Sequence, residues 1–375
     1  MKKSKLVVIH PAIAPYRIDF FNSINNCFDT SFYFEFGDAI EQSFNQDMMK
    51  QRLSFIPKYL KPGFKGIKNL RLDVFKILKK EKPDIVCCSE YNILSFIVLA
   101  CKFLFNWKMK IYTICDDSLD IARQCHGIRK LMRSMLLYMF TGVILADKKA
   151  LDWYQKNLRH SAKLIYFPII QNDYVFRQSL EQALPLSREN NTVYALEDKT
   201  VLLYVGRLVE VKNVFFLLDV YKEIRNKHND TILVIVGEGS LKDNLINYAK
   251  EQNLSDHIIF TGKQEGQTLM SWYNIGDIFI LPSTFEPFGT VVNEALLSGC
   301  YTFCSVAAGA SSLINEPDNG LLFNPEDTQD LVFKINDFLH KSTTHNRLAI
   351  KQNLMSVSYD EQFDLFLSSL NYKIA

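Results

Sequence analysis

The chain repeats one pattern: a short apolar run is followed by a longer segment whose apolar residues recur at helical spacing. Six runs in the first half are typical of buried strands, and they lie at Leu6–Ile9, Ser31–Phe36, Ile85–Cys88, Lys110–Cys115, Val143–Ala146 and Leu164–Phe167. Segments between them, such as Tyr16–Asn26 and Ile128–Phe140, indicate amphipathic helices. Strands that alternate with helices predict a parallel sheet, because parallel strands require crossover connections that cover both sheet faces.

The same pattern restarts at Thr200 in a cleaner form. The predicted strands are Val201–Val205, Ile232–Val236, Ile258–Phe260, Ile278–Leu281, Thr302–Val306 and Leu321–Phe323. The predicted helices cover 213–226, 240–252, 266–275, 290–298, 310–315 and 327–340. The sequence therefore predicts the α/β class, with two doubly wound Rossmann-like domains that face a cleft.

The predicted boundaries follow from a stretch rich in proline, asparagine and other polar residues between the two series. We expect a first domain over 1–175, a linker over 176–199 and a second domain over 200–345. The remaining residues, 346–375, form an amphipathic tail. This tail is predicted to be helical, and it could pack back on the first domain.

Composition limits the class of protein and the cellular compartment that we expect. With 48% hydrophobic and 22% charged residues in 375, the chain is neither disordered nor fibrous. Its eight cysteines form no Cys-x-x-Cys pair, which favours a reducing, cytoplasmic environment without a structural zinc site. The apolar run at Leu6–Ile9 is too short for a signal peptide, and glycines interrupt the longest uncharged stretch, Ala295–Asn315. We therefore expect no transmembrane helix.

Charge is divided unevenly between the two halves. Residues 1–180 contain 28 Lys and Arg against 16 Asp and Glu, a net charge of +12, whereas 181–375 carry −10. This asymmetry suggests that the first half meets an anionic partner. Nucleic acid is disfavoured because no nucleic-acid-binding motif accompanies the charge. An anionic membrane is favoured, since Lys61–Lys68 and Arg123–Arg133 mix bases with large apolar residues. A merely solvated basic face is the alternative.

Polar and glycine residues follow four successive strands of the second series, at the edge where open α/β sheets bind ligands. They are Gly206-Arg207-Leu208 with Lys212, Gly237-Glu238-Gly239-Ser240, Gly262-Lys263, and the loop Thr284–Thr290 followed by Glu294. Arg207 and Lys212 suit a diphosphate, because one offers a bidentate fork and the other a point charge. An ordinary surface pair is the alternative for these two residues.

The last of these loops adds groups for a sugar. Gly289 and Thr290 begin a helix whose free N–H groups favour a phosphate. Glu286 and Glu294 could face one elongated ligand at two points, since a carboxylate accepts hydrogen bonds from the neighbouring hydroxyls of a sugar or a ribose.

These motifs resemble those of the retaining family 4 (group 1) glycosyltransferases, which have the GT-B fold. The matching pieces are Gly206-Arg207-Leu208 with Lys212, Val236-Gly237-Glu238-Gly239, Phe260-x-Gly262, the strand Ile278–Ser283, and Glu286 and Glu294 in an E-x7-E motif. The resemblance covers residues 200–325 closely and the rest of the chain in outline.

The resemblance implies a nucleotide diphosphate sugar as donor substrate, held mainly by the second domain. Arg207 and Lys212 would bind the diphosphate and stabilise the leaving charge, while Glu286 would contact the donor sugar; these three are the expected catalytic residues. The other implied donor-binding residues are Gly206, Glu238, Lys263, Phe288, Gly289, Thr290 and Glu294. No cofactor is expected. Since the chain has no Asp-x-Asp and no cluster of histidines, we also expect no metal.

The first domain departs from the family pattern, which usually has a glycine-rich loop after the first strand. The Pro15-Tyr16-Arg17 segment here resembles a subset of the family and places Tyr16 and Arg17 on the acceptor side. Tyr16 could instead be a core residue, and Arg17 an exposed helix residue or an anchor for an acceptor phosphate. Cys115 stands where the family tends to place a histidine, and it is predicted to be a packed thiol. The remaining acceptor-side candidates are Glu90, Asp116 and Asp117.

The sequence thus predicts a metal-independent, retaining transferase that acts on a saccharide or a lipid-linked saccharide in cell-surface glycan assembly. We expect it in the cytoplasm, peripheral on the inner membrane face. Three alternatives remain open: a soluble sugar-phosphate synthase, a nucleotide-sugar epimerase, and a catalytically weak subunit that binds nucleotide sugar. A dehydrogenase is disfavoured because Gly237-Glu238-Gly239 lacks the third glycine of a dinucleotide-binding motif.

Overall fold

A computed structural model describes residues 3–37, 46–64, 67, 69–341 and 349–370. The chain divides into two compact units, which we call unit 1 (Met1–Gln171 with Asp360–Ala375) and unit 2 (Asn172–Tyr359). Lys65 and Lys68 of the predicted membrane-facing segment lie outside the described residues. No helix in the described ranges is both long enough and apolar enough to cross a bilayer.

Unit 1 is built on a parallel sheet of seven strands in the order β3-β2-β1-β4-β5-β6-β7. The strands are β1 (Lys5–His10), β2 (Asp29–Phe34), β3 (Lys58–Tyr59), β4 (Ile85–Ser89), β5 (Lys110–Cys115), β6 (Gly142–Leu145) and β7 (Lys163–Tyr166). The six predicted strands are confirmed, with ends that differ by no more than two residues. Only β3 has no counterpart among them, because two exposed residues carry no apolar period.

Helices cover both faces of this sheet. They are α1 (Ile18–Cys27), α2 (Gln46–Gln51), α3 (Asp73–Glu81), α4 (Ile93–Phe105), α5 (Leu119–Arg123), α6 (Gly127–Met139) and α7 (Lys148–Asn157). Strand residues such as Val7 and Val8 are buried although they point to opposite faces. Two parts of the core, one under α3 and α4 and one under α7, lie on the face to which Val7 points, whereas Phe21 of α1 packs against Phe32 on the face to which Val8 points. The continuous apolar runs in the sequence reflect this two-sided burial.

Unit 2 has a second parallel sheet, in the order β10-β9-β8-β11-β12-β13. Its strands are β8 (Thr200–Val205), β9 (Thr231–Val236), β10 (Ile258–Gly262), β11 (Ile278–Leu281), β12 (Tyr301–Ser305) and β13 (Gly320–Phe323). Its helices are α8 (Asp173–Gln182), α9 (Leu184–Val193), α10 (Val214–Arg225), α11 (Lys242–Glu251), α12 (Gly266–Ile275), α13 (Thr290–Leu297) and α14 (Thr328–Lys341). The predicted strands and the two-sheet α/β architecture are confirmed. The helix predicted at 310–315 is a short 3₁₀ turn, Gly309–Leu313.

The stretch predicted as a linker, 176–199, is largely helical and belongs to unit 2. Pro185 lies in the first turn of α9, where proline is tolerated because the first N–H groups of a helix have no intrahelical partner. The Asn274 side chain of α12 donates hydrogen bonds to the Leu180 carbonyl (2.9 Å) and to the Ser187 hydroxyl (3.0 Å). These contacts attach α8 and α9 to the second sheet's helix layer.

The C-terminal helix α15 (Tyr359–Ser369) packs back on unit 1, as expected for the tail. Ring centroids of Phe366 lie 5.3 Å from those of both Phe20 and Phe167. Of the tail residues that the structure describes, 349–370, the helical ones are Tyr359–Ser369. Before α15, Leu354 N–H donates to the Leu296 carbonyl of unit 2 (2.9 Å), which satisfies that backbone group outside a helix.

We expect Phe366→Ala to lower the free energy of unfolding of unit 1 by about 3 kcal/mol, because it removes a buried ring from an aromatic cluster. Leu365→Ala is the matched control, since the neighbouring Leu365 side chain is exposed. Urea unfolding followed by circular dichroism would measure both variants. Equal midpoints for the two variants would show that α15 does not stabilise unit 1.

Candidate functional site

The order of the strands reverses between β8 and β11 in unit 2, since the chain proceeds to β9 on one side and to β12 on the other. Ligands of open α/β sheets bind at such a point, beyond the carboxyl ends of the strands. Two loops meet there: the one that follows β8 and the one that follows β11. The Thr284 N–H donates to the Val211 carbonyl at 3.0 Å and joins them.

Lys212 and Glu286 form an ion pair across these two loops. Lys212 lies in a 3₁₀ turn, Glu210–Lys212, and its Nζ donates to Glu286 Oε2. Only 14% of the Lys212 side chain and 12% of the Glu286 side chain are exposed. Because the pair is largely buried, removing either partner leaves a poorly solvated charge. The structure thus brings together two of the three predicted catalytic residues.

Arg207, the third predicted catalytic residue, is exposed at the same edge. The buried Tyr204 hydroxyl donates to the Arg207 carbonyl at 2.9 Å and fixes the backbone there. Burial, assisted by the negative charge of Glu286, raises the pKa of Tyr204, so this phenol stays neutral and keeps its proton. Within the described part of the chain, no ion pair engages the Arg207 guanidinium.

Glycines allow the backbone loops to approach each other closely at this edge. The Gly206 N–H donates to the Val236 carbonyl (3.0 Å), and the Gly237 N–H donates to the Gly262 carbonyl (2.9 Å). A Cβ on Gly237 would lie 1.9 Å from the Gly206 carbonyl oxygen, so only glycine fits. The predicted residue Gly206 therefore lies against the loop of the next strand.

The loop after β11 leads directly into α13. Gly289 is the N-cap of this helix at φ +94°, a left-handed conformation that favours glycine. As a glycine, the N-cap has no side chain to cap the N–H groups of the first turn, which begins at Thr290. The Phe288 side chain is buried, and its carbonyl accepts a hydrogen bond from the Ala310 N–H (2.7 Å). At Phe288, therefore, only the backbone is available for a ligand.

Glu294 is held in position by a buried tyrosine of α12. The Tyr273 hydroxyl donates to Glu294 Oε2 at 2.7 Å. Burial raises the pKa of Tyr273 well above its ordinary value, and the charge of Glu294 adds to this shift. The hydroxyl therefore remains a donor and orients the carboxylate.

Glu238 and Lys263 are in exposed ion pairs. Glu238 pairs with Lys242 at 2.6 Å, and Lys263 pairs with Glu265 at 2.8 Å. Exposed pairs contribute roughly 0–1 kcal/mol, so a ligand can replace either partner at little cost.

Unit 1 has a cavity of about 190 Å³ at the carboxyl edge of its sheet, beside the neighbouring strands β1 and β4. Its polar lining comes from residues that follow or end β1, β4 and β5. These residues are His10, Tyr16, Ser89, Glu90 and Asp116. Three of the predicted acceptor-side residues, Tyr16, Glu90 and Asp116, are thus brought together.

Arg17 and Asp117 have structural partners instead. Arg17 is fully buried and donates to Asp116 Oδ1, so the interpretation of Arg17 as an exposed helix residue is wrong. Asp117 Oδ2 accepts from the Tyr154 hydroxyl (2.7 Å) and from Arg133 (2.6 Å), and it does not line the cavity. Asp117 therefore holds α6 and α7 at this edge.

Glu90 is rigidly positioned in a conformation that side chains seldom adopt. Its backbone has φ +61°. Its N–H donates to the Ile114 carbonyl (2.8 Å), and its own carbonyl accepts from the Ser95 and Thr113 hydroxyls (2.8 and 3.0 Å). Burial among protein atoms, with the nearby charge of Asp116, raises the pKa of Glu90 to about 7. Strain and a shifted pKa at one cavity residue indicate a functional group.

His10 is a cavity residue that the sequence analysis missed. Its Nδ1 donates to the Ala12 carbonyl at 2.9 Å, which leaves Nε2 as the acceptor nitrogen. Burial lowers the pKa of His10 to about 4, and the charge of Arg17 contributes, so the ring is neutral. The available signal was its place directly after the first apolar run. Cys115 is a buried thiol whose pKa is raised by burial, which confirms the packing interpretation.

Two buried hydroxyls at the sheet edges also escaped the sequence analysis. Ser89 lines the cavity in unit 1, and Ser283 lies in the loop that follows β11 in unit 2. Neither hydroxyl has a hydrogen-bond partner among the described residues. Buried polar groups normally find partners, so an unpaired hydroxyl beside a candidate site indicates a place for a ligand or a water.

Comparison with known proteins matches the segment that contains the unit 2 site to a known family. Residues 187–353 match the family model "Glycosyl transferases group 1". An uncharacterized glycosyltransferase of Methanocaldococcus jannaschii is 28% identical over 177 residues, 47% of this chain and 44% of that protein. Lipopolysaccharide 1,2-N-acetylglucosaminetransferase of Salmonella typhimurium is 28% identical over 172 residues, 44% of this chain and 45% of that protein. The match thus spans less than half the length of either relative.

The fold of the whole chain also has a counterpart among solved structures. The crystal structure of Anabaena HepE in complex with UDP has a TM-score of 0.72 and covers 98% of both chains at 16% sequence identity. This likeness concerns the fold. The resemblance to group 1 glycosyltransferases is therefore confirmed, while the roles of individual residues stay predictions.

We expect the stability of the protein to fall as the pH drops from about 6.5 towards 4, partly because of His10. The unfolded chain binds a proton on this histidine in that range, whereas the folded protein does not. His10→Gln should remove on the order of 3 kcal/mol of this pH dependence. Chemical denaturation at a series of pH values measures it, with the exposed His126→Gln as control. Parallel curves for wild type and His10→Gln would contradict a neutral His10.

Proposed function

We propose that this chain, whose residues 187–353 match the group 1 glycosyltransferase family model, transfers a sugar from a nucleotide diphosphate sugar to a saccharide acceptor with retention of configuration. The observation that supports this most is the set of charged residues at the switch point of the unit 2 sheet: the Lys212–Glu286 ion pair, and Arg207 exposed at the same edge. This set combines two cations with a carboxylate, which is what a diphosphate joined to a sugar requires.

Binding of the donor redistributes the Lys212–Glu286 pair. The diphosphate oxygens accept hydrogen bonds from Lys212 and Arg207, while sugar hydroxyls donate to Glu286 in place of the lysine. The uncapped N–H groups at Thr290 face the same phosphate, and Glu294 accepts from the ribose. Because Tyr273 and Tyr204 already fix this edge, little reorganisation accompanies binding.

The reaction breaks the bond between the anomeric carbon and the diphosphate oxygen, which leaves with the bonding electron pair. Arg207 and Lys212 stabilise the negative charge that develops on this leaving group. An acceptor hydroxyl attacks the anomeric carbon on the face that the diphosphate leaves, and its proton passes to a departing phosphate oxygen. The two side-chain cations supply the charge that a divalent metal supplies in other transferases, so we propose a metal-independent enzyme.

The unit 1 cavity supports an uncharged acceptor. None of its lining residues is a lysine or an arginine, and the guanidinium of Arg17 is neutralised by Asp116. A phosphate there would face the Glu90 carboxylate with no cation to compensate it. Neutral hydroxyls suit the acceptor atoms of His10 and Glu90. This favours a saccharide, free or lipid-linked, over the sugar phosphate of a synthase.

The remaining alternatives are less well supported. An epimerase needs no acceptor cavity, and a catalytically weak subunit does not require a strained, oriented Glu90. The relative from Salmonella is by its name a lipopolysaccharide N-acetylglucosaminetransferase, which favours surface glycan assembly for this chain. We accordingly propose a cytoplasmic enzyme that works at the inner membrane face on a lipid-linked saccharide.

For the donor site, we expect Arg207→Ala and Lys212→Met each to lower kcat/KM about 100-fold or more, because each removes a cation from the leaving diphosphate. The fold should survive Arg207→Ala, since this side chain is exposed. A thermal-shift panel of nucleotide sugars identifies the donor first, as a bound ligand raises the melting temperature. Transfer assays then use that donor, with the exposed Lys250→Ala as control.

Variants of the Lys212–Glu286 pair can separate two roles of Lys212: binding the diphosphate and neutralising Glu286. Lys212→Met leaves the buried Glu286 carboxylate without a partner and should lower the stability. The double variant with Glu286→Gln has no unpaired charge, so its stability should recover, but it should still bind UDP weakly because the lysine cation is missing. Glu286→Gln alone should bind UDP at least as tightly as the wild type, because UDP has no donor sugar to lose and Lys212 no longer has to leave a carboxylate. Recovery of UDP affinity in the double variant would mean that Lys212 serves only to neutralise Glu286.

For the acceptor site, Glu90→Gln should raise the KM for the acceptor about tenfold or more, while donor hydrolysis without acceptor stays unchanged.

Glu90→Gln should also raise the stability of the protein above pH 7. Folded Glu90 keeps its proton between about 4.5 and 7 whereas the unfolded chain loses it, so stability declines across that range. Because Glu90 is partly solvent-exposed, the gain is of order 1 kcal/mol or less.

Asp152→Asn, an exposed carboxylate of α7 in unit 1, is the control for the Glu90 variant. An unchanged acceptor KM in Glu90→Gln, with normal folding, would remove Glu90 from the acceptor site.

A further inference from the structure

Helix α6 turns its apolar face to solvent. The exposed fractions are 75% for Ile128, 69% for Leu131, 38% for Met132 and 45% for Met135. These residues are spaced at i, i+3, i+4 and i+7, so they form one stripe along the helix, which we call the α6 stripe. Surface helices ordinarily direct such a stripe at the core, so this one lacks a partner within the described chain.

The outward orientation is built into the packing of α6. Leu136 and Leu137 near its end are buried in the two cores of unit 1. In its middle, Arg133 donates to Asp117 at 2.6 Å, and its guanidinium lies 4.9 Å from the ring centroid of Tyr91. These contacts hold the opposite side of the helix against the sheet. The α6 stripe therefore faces away from the core.

Exposed bases flank the stripe along the chain, and acids are absent from its neighbourhood in sequence. No Asp or Glu occurs between Asp120 and Asp147. Arg123, Arg129 and Lys130 are exposed, while Arg133 is neutralised by Asp117. An apolar stripe flanked by uncompensated cations is complementary to a surface that is apolar inside and anionic outside.

The stripe begins at the same edge of the unit 1 sheet as the cavity. Helix α6 follows α5, which follows the carboxyl end of β5, and Arg133 is attached to Asp117 two residues beyond that end. Asp116, the neighbour of Asp117, lines the cavity. A second apolar and basic segment follows β3 at this edge, where Lys61, Phe64 and Ile67 are exposed.

We propose that the α6 stripe inserts into the interface of an anionic lipid bilayer and docks unit 1 there as a peripheral contact. Ile128, Leu131, Met132 and Met135 enter the acyl boundary, while Arg123, Arg129 and Lys130 contact lipid phosphates. Docking at this edge brings the cavity to the lipid surface, where a lipid-linked saccharide lies. That last benefit rests on the proposed function, whereas the docking itself does not.

The test is co-sedimentation of the full chain with vesicles of phosphatidylcholine alone or of phosphatidylcholine mixed with phosphatidylglycerol. We expect binding to the anionic vesicles that weakens with salt. Ile128→Ser with Leu131→Ser should lower vesicle affinity at least tenfold, and Arg129→Glu with Lys130→Glu should lower it about fivefold or more per residue. These four side chains are exposed, so folding should be unaffected.

The controls come from unit 2 and match the variants in type and exposure: Phe333→Ser for the apolar pair, and Lys227→Glu with Lys250→Glu for the basic pair. Unchanged binding by these controls supports the proposal. Equal binding to both vesicle types, or unchanged binding by the α6 variants, would overturn it. The proposal would also be overturned if the wild type does not bind vesicles and light scattering instead shows a dimer that Leu131→Ser dissociates.

A thermal shift with UDP and its sugar conjugates is recorded for every variant. If no nucleotide raises the melting temperature but vesicle binding still depends on α6, the proposed function fails and the docking stands. If nucleotides bind normally and vesicles do not, the docking alone fails.

Discussion

Parallel strand pairing places the carboxyl ends of all strands in a sheet at one edge, and the candidate site residues of both units lie at that edge. Lys212 and Glu286 are 74 residues apart in the sequence but form an ion pair because β8 and β11 are neighbours in the sheet. His10 and Glu90 share a cavity because β1 and β4 are neighbours in unit 1. Each candidate site is therefore a consequence of strand order.

The two edges differ in electrostatic character. In unit 2, the exposed Arg207 and the Lys212–Glu286 pair offer cations that an anionic ligand can recruit. In unit 1, the Arg17 charge is already neutralised by Asp116, and burial raises the pKa of Glu90 while it lowers that of His10. The unit 2 edge therefore suits a diphosphate, and the unit 1 edge suits hydroxyl groups. This difference in ligand preference follows from which charges are paired.

Periodicity predicted most of the fold because each strand is buried on both faces and leaves a continuous apolar run. It missed features whose signals depend on context. Pro185 resembled a linker residue, yet at the start of α9 its missing N–H is harmless. Residues 349–358 of the tail are not helical, and the Leu354 N–H bonds to the Leu296 carbonyl, a contact between distant residues that no local pattern reveals. The donor motifs were recognisable because their residues follow successive strands at short spacing.

The sequence by itself determined the two βα series, the positions of Arg207, Lys212, Glu286 and Glu294, and the excess of bases in the first half, because composition and spacing are local properties. Only the tertiary structure decided which charges meet. It buried Arg17 against Asp116, assigned Asp117 to Arg133, and turned the apolar side of α6 outwards. Pairing and burial depend on contacts between residues distant in the chain, and these contacts exist only once the sheets have formed.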